Sequence, residues 1–181
     1  YMYVRYFMWN FAGRTNDLQG TYANENGRWQ SGIPFIDNLG FFNGNHNWSN
    51  QDLPEHRVNN KANNKFYLIP FALGIIGLVY SFRNNKTLAI AISAMFLITG
   101  LAFIIYINQP PVEPRERDYV LVGSLFAFCI WMGLAVLQLI DWLSRGAKNV
   151  KWVPIAAVCI GLIAPVLMGS QGYDDHDRSG R

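Results

Sequence analysis

Two uncharged apolar runs dominate the chain, with a charged, proline-rich turn between them. The first covers Thr87 to Ile107 and the second Tyr119 to Ile140. Each is about 20 residues long, the length at which a helix crosses a hydrocarbon core of ~30 Å. The intervening Asn108 to Asp118 combines Pro110, Pro111 and Pro114 with alternating Glu and Arg, a composition that a bilayer interior rejects. The pattern predicts a transmembrane helical hairpin. Two shorter apolar runs flank it, Phe66 to Phe82 and Trp152 to Met168. Pro70 and Pro154 fall near their starts, where a helix tolerates proline. Pro165 is expected to kink or end the last run. The fold class predicted is an all-α membrane protein: four transmembrane helices with a long extracytoplasmic N-terminal loop.

Ahead of these runs the pattern is different. As a helix, Tyr1 to Arg14 places Tyr3, Val4, Phe7, Met8 and Phe11 on one face, with Arg5 and Asn10 away from it. Such a segment reads as an interfacial helix or as the trailing end of a span. From Thr15 to Lys65 periodicity disappears, and Asn, Gly, Asp and Ser recur with Pro34 and Pro54. That predicts a long loop with a short helix near Ile33 to Gly40. Trp29, Phe41, Phe42 and Trp48 argue against disorder there; they are expected to pack against the membrane helices, with stacking on a sugar face as the alternative. Asn47-Trp48-Ser49 fits the glycosylation sequon, a short and weak pattern.

Composition changes this picture little, because an apolar fraction of 51% in 181 residues and a mean hydropathy of +0.08 average two unlike halves. The organisation expected is an interfacial helix plus extracytoplasmic loop over 1–65, a transmembrane block over 66–170, and an extracytoplasmic tail over 171–181. The formal charge of +3 forms no basic stripe, which argues against nucleic acid as a partner. Charge does orient the spans. Arg83 and Lys86 flank one short connector, and Arg145, Lys148 and Lys151 outnumber Asp141 in the other. Basic residues favour the cytoplasmic side, so the 108–118 turn and both chain ends are expected outside an inner membrane. Cys129 and Cys159 sit in apolar runs and read as small buried hydrophobes. No basic n-region or cleavage site is visible, so no signal peptide is expected, and the chain reads as a middle piece of a longer protein.

Two outer segments offer chemistry. Three prolines stiffen the turn and set Arg115 and Arg117 at headgroup level, where guanidinium groups suit a phosphate or pyrophosphate; their competing role is to pair with neighbouring Glu and with lipid. The tail gathers Asp174, Asp175, His176, Asp177 and Arg178. Such residues ligate divalent cations or act as general bases. Contiguous positions do not all face one centre, so no metal site and no cofactor is assigned to them. Phosphate-cradling glycine loops, Gly-x-Ser-x-Gly elbows and metalloprotease His pairs are absent from the sequence. No charge interrupts a span, which argues against an ion-coupled carrier.

Three blocks carry a resemblance: Tyr6 to Arg14 with Asn16-Asp17 and Gln19-Gly20, then Gln109 to Tyr119, then Tyr173 to Ser179. In this order they closely resemble a family of large bacterial inner-membrane proteins. That family is similar to protein O-mannosyltransferase-like proteins and, more distantly, to GT-C membrane glycosyltransferases. The resemblance implies a sugar taken from a polyprenyl-phosphate carrier and passed to an acceptor, such as a protein, outside the cytoplasm. It places the catalytic carboxylate in an outer loop upstream of this piece, so no catalytic residue is assigned here. Arg115, Arg117, Asp174, Asp175, His176, Asp177 and Arg178 match its motifs and are the candidate contacts for lipid-phosphate or substrate. The competing expectation is a non-catalytic membrane scaffold anchoring a partner or a soluble domain.

Overall fold

A computed structural model describes residues 2–15, 29–37, 62–107, 118–146 and 150–176. They divide into two compact units, one from residues 2–15, 29–37, 62–68 and 167–176, the other from 69–107, 118–146 and 150–166. The described chain is predominantly helical.

The second unit is made of apolar helices. Helix α3 spans Ile69–Asn84 and α4 Lys86–Ile107. Helix α5 follows over Val122–Gly146, and α6 begins at Val153 and runs to His176. Their ends follow local chemistry. Asn85 breaks α3 from α4 and caps the latter, its side chain accepting from the Leu88 N–H at 3.1 Å. Arg83 and Arg145 sit in last turns, facing the negative end of the helix dipole. One π-helical turn interrupts α4 over Ile98–Ala102, where Thr99 Oγ1 donates back to the Met95 carbonyl at 2.7 Å.

Small residues let these helices touch. Gly74 of α3 meets the Phe128 ring of α5, and Gly77 meets the Trp131 carbonyl and the Ala135 amide. Contacts that advance together along both helices make α3 and α5 parallel. Phe96 of α4 packs on Phe128 and Trp131 at ring separations of 6.4 and 5.4 Å, while Thr99 abuts Gly123, so α4 is antiparallel to α5. Helix α6 rests on α5 where Gly161 faces Val136 and where Ala164 joins Leu73 and Ala135. Lipid tails are as apolar as leucine, so close packing rather than water exclusion holds such helices together.

The outward faces stay apolar: Ile90, Ile98, Ile105, Phe126, Leu162 and Val166 are all more than half exposed. So much exposed aliphatic surface belongs in lipid. Helices α4, α5 and α6 are long and apolar enough to cross a membrane, with 22, 25 and 21 residues over Lys86–Ile107, Val122–Gly146 and Val153–Tyr173; α3, with 16, falls short of that length. Among the described residues the membrane part is thus all-α, with three helices long and apolar enough to span.

Two expectations for this unit are corrected. Helix α6 does not end at Pro165 or Met168 but continues through the proline to His176. The carbonyl that the ring displaces belongs to Gly161, four residues back, and neighbouring helices allow such prolines in spans. Cys129 and Cys159 are exposed on the outward faces. Position 129 lies off the inward stripe of Ser124, Ala127, Phe128, Trp131, Ala135 and Gln138.

The first unit is a short weave. Helix α1 spans Met2–Phe11. Strand β1, Gly13–Arg14, pairs antiparallel with β2, Asn64–Lys65, and Arg14 bridges Trp29 as well. A single turn of helix, α2, covers Pro34–Asp37. The Asp37 carboxylate ties that turn back, accepting from Ser31 N (2.7 Å), Ser31 Oγ (2.8 Å) and Gly32 N (2.9 Å). Buried Gln30 donates through Nε2 to the Arg14 carbonyl at 3.0 Å and to Asn63 Oδ1. The face expected of α1 is also corrected: Val4 is exposed, whereas Arg5 is buried with Tyr6, Phe7, Trp9 and Phe11. The Arg5 guanidinium lies over the rings of Tyr6 and Trp9.

Gly13 shows how tight this weave is. Its φ of +124° is one that L side chains rarely adopt, and a Cβ there would overlap the Asn64 carbonyl. A Gly13→Ala chain is expected to lose about 2 kcal/mol or more. Near-ultraviolet circular dichroism on heating will report it through the buried indoles of Trp9 and Trp29; an unchanged melt would show that the strand pair shifts at no cost.

Candidate functional site

The described residues supply one concentrated charge arrangement, and the aromatic helix α1 builds it. Positions 5 and 9 are one helical turn apart and therefore neighbours on the helix surface. The Arg5 guanidinium lies 4.6 Å from the Trp9 ring centroid and 5.7 Å from that of Tyr6. Tyr6 meets Trp9 edge-on at 5.4 Å. Beyond the helix end, β1 turns the chain so that Arg14 also lies over Trp9, at 5.8 Å, with its Nε donating to the Ala62 carbonyl at 3.3 Å. Two guanidinium groups thus share one indole. Arg5 is only 5% exposed. Stacking on a ring is the arrangement in which a guanidinium combines a cation–π contact with hydrogen bonding in its own plane.

A second relation connects distant parts of the chain. Lys65, in register with Gly13, donates its backbone N–H to Gln171 Oε1 at 2.6 Å. Gln171 lies three residues before Asp174, a rise of about 4.5 Å along a helix. The strand beside Arg14 is therefore bonded to α6 one turn ahead of the acidic motif. Positions 174, 175 and 176 occupy the last turn of α6. Asp177 and Arg178 lie outside the described residues, as do Arg115 and Arg117. Phe41, Phe42 and the Asn47-Trp48-Ser49 sequon lie outside them too.

The structure thus bonds β2, the strand paired with the first sequence block, to Gln171, two residues before the third. The sequence pattern set Arg5 off the apolar face of α1 and gave no sign of the ring that Arg5 shares with Arg14. The available signal was the Arg5–Trp9 spacing; the approach of Arg14 had none, since it depends on a strand pairing about 50 residues away. Among the described residues no three His, Cys, Asp or Glu side chains come together. Compared with protein families, with curated proteins and with solved structures, the chain finds no match.

Proposed function

We propose that the chain is the distal membrane part of an extracytoplasmic glycosyltransferase that uses a polyprenyl-phosphate sugar donor, with a protein as acceptor. The observation that supports this best is the link from one motif block to the approach of another. Residues 6–14 and the approach to 173–179 meet through the hydrogen bond from Lys65 to Gln171, and arginines lie on one side of that junction. A donor of this class presents phosphate oxygens at a membrane surface. Arginine beside apolar helices is the side chain suited to them.

In this reading α3 is the fourth span. Sixteen residues reach about 24 Å, and a short span is accommodated by local thinning and by flanking basic residues that reach the interface. Its parallel course along α5 supports the same depth. Four crossings then leave both chain ends, the 108–118 turn and the 171–181 tail on the extracytoplasmic face of a bacterial inner membrane, with the basic connectors inside. Arg115, Arg117 and the group Asp174, Asp175, His176, Asp177 and Arg178 line that outer face, and the arginines hold the carrier phosphate.

Replacing Arg115 and Arg117 together by Ala in the full-length protein is expected to lower sugar transfer to outer proteins by about tenfold or more, since charge-assisted hydrogen bonds are among the stronger polar contacts. Measured glycosylation that stays at the wild-type level removes both from the mechanism. A stable protein partner found with no bound polyprenyl lipid favours the scaffold instead.

A further inference from the structure

Ile33-Pro34-Phe35-Ile36 forms an uncharged apolar tip in the first unit, and Phe35 is 77% exposed there. Pro34 beside it is exposed as well. The backbone of this tip closes on itself. The Ile36 and Asp37 amides both donate to the Ile33 carbonyl at 3.0 Å, Gly32 N donates to the Asp37 carboxylate at 2.9 Å, and Ile33 N to Ser31 Oγ at 3.0 Å. Pro34 has no amide to satisfy. Apart from Phe35, no residue from Gly32 to Asp37 thus offers an unbonded N–H among the described residues. An apolar segment needs such internal pairing before it leaves water, because unpaired backbone groups are costly in lipid.

The base of the tip is fixed near the membrane boundary. The Ser31 carbonyl accepts from Tyr67 N at 2.9 Å, two residues before α3 begins at Ile69. Gly74 faces Phe128 and Gly77 faces Trp131 across the parallel pair of helices. The same register sets Ile69 level with Gly123, one residue inside the start of α5, which has the length and apolarity of a span. Two residues of chain reach about 7 Å at most, so the Tyr67–Ser31 bond lies close to that level. Tyr67 and Leu68 have φ of 52° and 57°, values that bulky residues rarely adopt, and they turn the chain off the line of α3 there. Tyr67 is itself 48% exposed, and tyrosine is enriched at membrane–water interfaces. Two charged groups adjoin the tip. The Asp37 carboxylate is engaged by Ser31 N, Ser31 Oγ and Gly32 N. Lys65 lays its stem against Gly32, and such a side chain covers apolar surface while its ammonium stays in water. We propose that the 33–36 tip is a shallow membrane anchor, with Phe35 seated at the headgroup–acyl boundary of the leaflet at which α3 and α5 begin. Its occupant is the bilayer around α5, not a second protein. The inference needs only α3 lying against α5 in the membrane and is independent of the enzymatic reading.

The test places an environment-sensitive fluorophore at position 34 of the full chain, carried in phosphatidylcholine nanodiscs. Cys129 and Cys159 are replaced by Ala, and Pro34→Cys takes the label. Doxyl-labelled phosphatidylcholine in the disc is expected to remove about half of the emission or more, whereas iodide in the water removes little. Adding Phe35→Asp should cut the lipid quenching about three-fold and open the label to iodide, since a carboxylate is expelled from the acyl region. Phe35 is exposed, so this change leaves the first unit folded, which near-ultraviolet circular dichroism of the buried Trp9 and Trp29 checks. Quenching of the P34C label by iodide and not by lipid overturns the proposal. A label shielded from both quenchers overturns it too and assigns the tip to a protein surface. Lipid quenching that survives Phe35→Asp undiminished also overturns it, because the apolar side chain is then not what seats the tip.

Discussion

A Gly77→Leu chain is expected to lose the helical unit altogether. Gly77 faces α5 at a point where a Cβ would overlap the main-chain carbonyl of Trp131 and lie 3.0 Å from the amide of Ala135. Neither atom is the end of a flexible side chain, so only a shift of whole helices relieves the clash. Overpacking a well-packed core ordinarily costs about 1–3 kcal/mol, occasionally more. Here the displaced group is backbone, and the loss belongs above that range. Nor is the damage local. Gly74 accepts the Phe128 ring in the same interface, and Phe128 also holds Phe96 of α4, so separating α3 from α5 loosens three helices. The control is Gly133→Leu. Gly133 lies in the same membrane block, but nothing stands within 4 Å of a Cβ there, and an extra leucine on an outward face meets only lipid. Unfolding in graded sodium dodecyl sulfate, followed by far-ultraviolet circular dichroism, should place Gly133→Leu with the wild type and Gly77→Leu far below it. Matching curves for the two variants would show that α3 and α5 do not meet through Gly77.

The contrast between two glycines in one membrane block explains what the amino-acid sequence shows and what it hides. Hydropathy finds the spans, because length and lack of charge are properties of single segments. It does not find their ends. Helix α5 extends beyond Ile140 to Gly146, since Asp141, Trp142 and Arg145 are unsuitable for lipid but pose no obstacle to helical backbone. Its start is delayed to Val122 by a tighter turn over Asp118–Leu121. Inward and outward faces are harder still, because all sides of these helices are apolar. The clue was the spacing of small residues, Gly74, Gly77 and Ser81 on α3 against Ala127 and Ala135 on α5, and an average over a span-length window blurs such positions into their neighbours.

The first unit was less legible for a different reason. Its strands are two residues long, too short for any alternation to show. What positions Arg14 is a pairing with Asn64 and a bridge to Trp29, supported by the Gln30 side chain donating across to the Arg14 carbonyl. Each of these is a contact between remote segments with no local signature. Burial of Arg5 follows the same logic: charge alone sends it to the surface, and the rings of Tyr6 and Trp9 packed against its guanidinium become visible only in the fold.

Trp131 sets up the second large effect, and it separates two kinds of interaction at one position. The ring is 3% exposed, tilted against Phe96 at 5.4 Å and edge-on to Phe128 at 6.2 Å. Its indole N–H, by contrast, has no hydrogen-bond partner among the described residues. Trp131→Ala is expected to cost about 3–5 kcal/mol, because the aromatic contacts vanish and a cavity remains between α4 and α5. Trp131→Phe keeps a ring in the same place and removes a donor left unsatisfied at a cost of about 1–3 kcal/mol. That gain offsets the smaller ring's lost contacts, so the Phe variant should fall within about 1 kcal/mol of the wild type. The two substitutions therefore differ by several kcal/mol despite both deleting the indole, and detergent unfolding of the three proteins side by side resolves them. Should Phe prove as damaging as Ala, the N–H must bond an acceptor in the membrane, and the polar stripe it shares with Ser124 and Gln138 would be the place to look for it.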